Sequence, residues 1–386
     1  MGAAGLDGRT ALSGGPPNGD ARVLDCCVFN DWQTQFEVTD YMSRGWRNYL
    51  GQPGSTAEAG IGGKSIEVAS PYHHPAGDLR SNFSSALNAG PGSDYPKVVS
   101  DLFASGTQHD RAVLVPLRGL LIPADNNAAL GAELCVAVNR WTTDRWLSGP
   151  DRRLRGSILV QAQLPQKAAA EIHRAAKHPG MVQVVLSASG LSKPFGHRIF
   201  QPIFRAAAAE GLPIAIHAGG DVTADALSHP TGGGLPSTYS EMRALSAQPL
   251  MTHLVSIVSQ GVFEEFKDLR VLLIGGGVTW VPGFLWRFDN CIASFGWEAP
   301  WLTKTASEYV RSNVLVSTWP LEHAPTADQL RKFLGACEGI ENILCFASGY
   351  PEQEYDPPAV VDRLAEGWRT KVLHANALGA YGRRLA

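Results

Sequence analysis

Neither sign of charge prevails along the 386 residues: 33 Lys+Arg against 36 Asp+Glu leave a formal charge of −3. That balance argues against nucleic acid or an anionic membrane surface as the partner. Long apolar runs are missing too, since no stretch approaches the roughly 18 residues of a membrane span and no basic segment followed by an apolar one opens the chain. The six cysteines (Cys26, Cys27, Cys135, Cys291, Cys337 and Cys345) form no CxxC pair and no regular spacing. A zinc finger and a disulfide framework are thereby excluded, and a reduced, cytoplasmic setting fits a soluble protein. The glycine runs at 232–234 and 275–277 match neither GxGxxG opening a helix nor a Walker loop, so nucleotide binding has no support.

What the sequence does contain is ample material for a large core, with 44% hydrophobic and 18% charged residues. Residues 1–20 are rich in Gly, Pro and small polar residues without periodicity and read as a mobile tail. Residues 21–386 read as one large domain. Eight short apolar runs stand out as strand candidates: 22–28, 111–116, 156–161, 181–187, 212–217, 269–274, 313–318 and 342–347. Helical periods lie between them at 166–177, 200–210, 254–266 and 326–336. Eight strands alternating with helices predict a closed (β/α)8 TIM barrel whose working face is the C-terminal ends of the strands. The interval 50–110 is too long for an ordinary connection. It predicts an insertion after strand one that covers one end of the barrel, and the tandem His73 and His74 within it read as surface residues.

The segments VLDCCVFN, LPIAIHAGG, LVSIVSQGVFEEFKDLRVLLIGGGVTWVPGFLWRFD and LCFASGYPEQEYDPP follow one another in an order that resembles the amidohydrolase-related proteins. The closing ANALGAYG is similar to the final helix of that family, whose members are metal-dependent barrel hydrolases and decarboxylases. The resemblance implies a divalent metal held by an acidic or histidine residue and a second histidine two positions on at strand one, a histidine at strand five and an aspartate at strand eight. A glutamate or histidine commonly closes strand six. Carried onto this chain, those positions are Cys27, Phe29, His217, Gly349 and Gly275, so only His217 is retained. Phe29 has no lone pair to offer and Gly349 no carboxylate, whereas a catalytic zinc needs about three protein ligands. No metal and no other cofactor is therefore expected.

Without the ion, chemistry falls to acid–base groups. His217 closes an apolar strand ahead of Ala-Gly-Gly and is the leading base. His253, read as opening the helix before strand six, should have its pKa lowered by the helix N-terminus and relay protons with Glu352, which stands where relatives carry histidine. Cys27 is a candidate nucleophile with His217 as its base, and alternation places Cys26 on the opposite face. Phe29, Trp280, Trp319 and Tyr350 gather at strand ends and predict a flat apolar pocket for an aromatic small molecule. Arg287 pairs with Asp289 or holds a substrate carboxylate, and the Gly275–Gly277 backbone is a candidate oxyanion site. The expected protein is thus a metal-independent hydrolase, cyclase or lyase of specialised metabolism, as in antibiotic biosynthesis. The alternatives are a non-catalytic binding protein on the same barrel and a hydrolase with a remodelled Cys27–His217 metal site. The resemblance also allows a homodimer.

Overall fold

A computed structural model describes residues 22–51, 79–83, 90–104, 107–188, 193–218 and 236–385. Residues 1–20, most of the 50–110 insertion, and His73 and His74 lie outside the described residues. Eight parallel strands run in the order of the sequence: β1 (Val23–Asn30), β2 (His109–Pro116), β3 (Leu154–Leu159), β4 (Met181–Ser187), β5 (Ile214–His217), β6 (Val271–Ile274), β7 (Val314–Ser317) and β8 (Leu344–Cys345). The backbone closes the ring between β8 and β1, where Cys26 N donates to Phe346 O at 3.0 Å, Phe29 N to Tyr350 O at 2.7 Å and Gly349 N to Cys27 O at 3.2 Å. The architecture is the (β/α)8 barrel, and each predicted strand lies at or within a few residues of its expected place.

The strands are buried because each has neighbours on two edges and a helix outside. Val23–Asn30 is buried at every position, the continuous apolar signature of a parallel strand covered on both faces. The helices begin where their sequences supply start signals. Pro165 opens Pro165–Ala175, and Thr326 forms a capping box with Gln329 ahead of Ala327–Gly335, satisfying backbone donors that no helical carbonyl reaches. The periodic stretch 254–266 is two helices, Ala247–Ser259 and Val262–Glu265. Gly261 divides them with φ +73°, a left-handed conformation that terminates a helix and that glycine adopts without steric cost. Among the described residues no helix is long and apolar enough to cross a membrane.

Candidate active site

The site is assembled from the ends of β1, β5, β6, β7 and β8. Alternation fails at its first element. The β1–β2 register shifts between Asp25 and Val28, and this β-bulge lets neighbouring cysteines both find interior partners. Cys26 interacts with Cys345 and Tyr381, while Cys27 Sγ lies 3.6 Å from His217 Nε2. With that extra residue, simple alternation no longer assigns Cys26 and Cys27 to opposite faces. Burial, followed by the nearby Asp25 carboxylate, pushes the Cys27 thiol well up. His217 is shifted the other way, to about 3, by burial and then by the charge of Arg243. A raised thiol beside a depressed imidazole is a neutral pair. It is not the thiolate–imidazolium couple that makes a cysteine nucleophilic.

Trp319 decides what else the mouth can hold. Its indole is fully buried, 6.0 Å centroid to centroid from His217 and 5.8 Å from Phe29, and Phe29 in turn lies edge-on to His217 at 5.3 Å. Gly349 has φ +63°, and a Cβ built there would stand 2.0 Å from Trp319 Cε2. A side chain at 349 and the indole at its present position exclude each other. A Cβ on Gly275 would make only ordinary contact with Trp319 Cζ3, at 3.4 Å, although its φ of +92° favours glycine. The indole nitrogen is tied down by donating to Glu354 O at 3.0 Å. The aromatic residues therefore fill the mouth on the barrel axis instead of lining an open flat pocket there.

That packing tests the metal site directly. Of the five ligand positions, two present a donor, a neutral thiol and an imidazole, and carbon occupies the volume where a carboxylate at 349 would sit. The residues present do not fit a divalent ion held in the family's manner. Among the described residues, no three His, Cys, Asp or Glu side chains converge as a metal site.

The other predicted residues are dispersed. His253 sits inside Ala247–Ser259 and not at its start. Its Nδ1 accepts from Phe195 N at 3.1 Å, its Nε2 donates to Ala188 O at 2.9 Å, and its ring stacks on Phe195 at 4.3 Å. Burial, not the helix terminus, takes its pKa down to about 4. Tyr350 donates to Asp101 at 2.8 Å and packs on Phe83 at 4.5 Å, its hydroxyl pKa raised by burial and then by Asp101. Arg287 is exposed on the outer surface of Val281–Phe295, beside a groove that includes Phe284 and Cys291. Asp289 accepts from Ser307 N and Oγ, so the Arg287–Asp289 pair is not formed as expected. Gly275 N donates to Ser317 Oγ and Gly277 N to Trp319 O, which turns both amides away from an oxyanion. Glu352 is brought to the mouth, but as an ion pair with Arg243 at 3.3 Å and not as a carboxyl in apolar surroundings.

Arg243 is the residue that sequence reasoning missed. It comes from the short helix Tyr239–Ala244 between β5 and β6, bridges Glu352 and Glu354 (2.5 Å to the latter), and lays its guanidinium over the Trp319 ring at 5.3 Å. Its charge is reinforced by both carboxylates against the cost of burial. Two acidic residues two apart after β8, without a cation nearby in sequence, were the available signal.

An open cleft of about 800 Å³ lies beside the filled axis, over the ends of β6, β7 and β8. Arg243, Glu354, Tyr239, Trp280 and His323 are among the residues that line it. Trp280 is held by donating from Nε1 to Gly277 O at 3.0 Å. Glu322 faces the cleft but accepts from Val278 N, Thr279 N and Thr279 Oγ1, in the turn ahead of the Val281–Phe295 helix.

A barrel with this strand order is of the (β/α)8 type. The chain belongs to the amidohydrolase family, whose sequence pattern matches residues 105–383. Similar solved structures include 5-carboxyvanillate decarboxylase from Novosphingobium aromaticivorans, with bound manganese and 3-methoxy-4-hydroxy-5-nitrobenzoic acid (20% identity, 93% of this chain and 97% of that one, TM-score 0.63). An amidohydrolase from Mycobacterium avium subsp. paratuberculosis gives TM-score 0.67 at 16% identity over 94% of this chain and 99% of its own. 2,6-Dihydroxybenzoate decarboxylase from Rhizobium gives 0.60 at 14% over 93% and 98%. No curated protein sequence matches the chain.

Proposed function

We propose that the chain is a metal-independent enzyme that acts on an aromatic small molecule by acid–base chemistry, in the cleft beside the barrel axis. The observation that carries this reading is the Trp319 indole in the space a ligand carboxylate at 349 would need. The substrate ring lies against Trp280, and Arg243 holds its polar group. Glu354, which lines the cleft and pairs with Arg243, takes a proton from the attacking group and returns it to the departing one. Hydrolysis and dehydrative cyclisation need that pair of transfers; in an elimination the proton taken is the one on the carbon beside the leaving group, and it is returned to that leaving group. His217, a neutral imidazole behind Trp319, contributes a hydrogen bond and not a strong base. The aromatic class is in keeping with the carboxyvanillate and dihydroxybenzoate decarboxylases to which the fold is similar. We also assign residues 79–83 of the insertion as part of a cover, because Arg80 donates to Gln353 O and Tyr355 O and Phe83 packs on Tyr350, fastening that stretch to the loop after β8.

A second reading, a binding protein without turnover, is favoured by the engagement of both His253 nitrogens with backbone and by the neutral Cys27–His217 pair. Chelator-treated protein, offered a panel of hydroxybenzoate esters, anilides and free acids, separates the two. Turnover that survives chelation and is lost in Glu354→Gln with binding retained supports the enzyme. Saturable quenching of tryptophan fluorescence without product supports the binder. Turnover abolished by chelation and restored by manganese contradicts both.

A further inference from the structure

At the end of the barrel opposite the mouth, a concavity of about 630 Å³ opens between the starts of β3, β4 and β5 and the C-terminal turn. Four cationic or ionisable nitrogen side chains line it, Arg152, Arg155, His178 and Arg384, against one carboxylate, Glu210. Glu210 is already engaged, by His173 at 2.7 Å and by Arg384 at 3.5 Å. Arg384 is further fixed by donating to Ala176 O at 2.8 Å and Glu210 O at 2.6 Å. Neither Arg152 nor Arg155 has a carboxylate partner among the described residues. Arg152 donates to Leu147 O at 3.3 Å. Arg155 donates from Nη1 to Arg152 O and Leu154 O, while its Nε is buried with no hydrogen-bond partner.

This is an unusual accumulation of like charge. Nearby Arg111 is paired with Asp110 at 3.1 Å and Arg153 with Asp151 at 2.6 Å, so their charges are answered locally. Arg152 and Arg155 form no such ion pair among the described residues, and Arg155 feels Asp110 only at longer range. Burial and then the Arg111 charge lower Arg155, which Asp110 offsets in part, and burial and then Arg152 lower His178. A tetrahedral dianion is the ligand that complements this charge. Two guanidinium groups with free N–H edges suit phosphate oxygens, and the fork of arginine favours multivalent oxyanions over chloride.

We propose that this pocket binds a phosphate group, through Arg155 and Arg152 with Arg384 and His178 at its rim. The site is remote from the β6–β8 cleft and does not depend on the function assigned there. The shared chemistry is a phosphate dianion, supplied either as the free ion or as the ester of a small metabolite.

The test is calorimetric titration of the full chain in phosphate-free buffer at fixed ionic strength, with inorganic phosphate and with phenyl phosphate as probes and sodium chloride as control. Saturable binding at one site per chain is expected, weakened about tenfold or more in Arg155→Gln and in the exposed Arg152→Gln, as loss of a charge-assisted hydrogen bond implies. Tighter binding of phenyl phosphate identifies an ester as the ligand, and binding of phosphate alone identifies the free ion. Because Arg155→Gln can disturb folding, wild-type protein is also treated with phenylglyoxal and mapped by mass spectrometry, and phosphate should protect Arg155. Absence of saturable heat with both probes, unchanged affinity in both folded variants, or modification of Arg155 indifferent to phosphate would each overturn the proposal.

Discussion

At the floor of the barrel Tyr381 donates to Gln183, Gln183 to Ser157 and Ser157 to Leu114 O, at 2.8, 2.8 and 2.6 Å. At the mouth, the polar groups are a neutral thiol and a neutral imidazole pressed against Phe29 and Trp319, and the full charges are gathered to one side on Arg243, Glu352 and Glu354. Those three residues of the floor satisfy their buried polarity with a continuous chain of hydrogen bonds. The mouth reduces its buried polarity by replacing donors with rings. The Tyr381–Gln183–Ser157 chain and the Cys27–His217 pair each keep their own polar groups uncharged or hydrogen-bonded. A fold whose floor is kept and whose mouth is repacked can change its chemistry without changing its shape.

The sharpest way to break this contrast is to return a carboxylate to the mouth. Gly349→Asp imposes a side chain on φ +63° and drives its Cβ into Trp319, and we expect a loss of about 3 kcal/mol or more in urea unfolding. Trp319→Ala in the same chain should recover part of that loss, a non-additive pair that a site already roomy at 349 would not show.

Acid should separate the two ends next. His217 and His253 have pKa values of about 3 and about 4 in the fold against 6.5 when unfolded. Between those values the unfolded chain binds more protons, so their contribution is complete above about pH 6.5 and is lost as the pH falls towards 4. Denaturation at pH 7.5 and pH 5 should show a decline on the order of a few kcal/mol, shallower in His253→Asn and unaltered by a change at the floor such as Tyr381→Phe.

Removing the charge beside the mouth is expected to cost less. Arg243→Met leaves Glu352 and Glu354 facing one another, and because these groups keep some solvent contact the loss should be about 2 kcal/mol, smaller than for a fully buried pair. Glu352→Gln in the same background should restore part of it. The smallest effect belongs to the floor: Tyr381→Phe strands Gln183 Oε1 and should lower stability by about 1 kcal/mol, without altering ligand binding in the cleft.

The fold was legible because its signals are local. Apolar strands such as MVQVVLS at 181–187 and capped helices such as 326–336 appear where periodicity places them. The site was legible only in part. Cys27, His217 and Gly349 stand out by their places at strand ends, and their comparison with metal-ligand positions rests on the resemblance to the amidohydrolase-related proteins. That Trp319 fills the space over Gly349 depends on a backbone angle and on contact between residues thirty apart in sequence, which no local pattern encodes. The β1 bulge is similarly hidden, since Cys26 and Cys27 in VLDCCVFN look like ordinary alternation. Arg243 escaped notice because its helix of six residues carries no strong period, and its partners lie after β8.

The central claim is that indole packing, not an ion, occupies the mouth beside His217. Manganese titration of chelator-treated protein, followed by electron paramagnetic resonance of the free ion, measures this most directly. The account predicts no saturable uptake in wild type and none in His217→Ala; one tightly held manganese per chain, lost in His217→Ala, would contradict it.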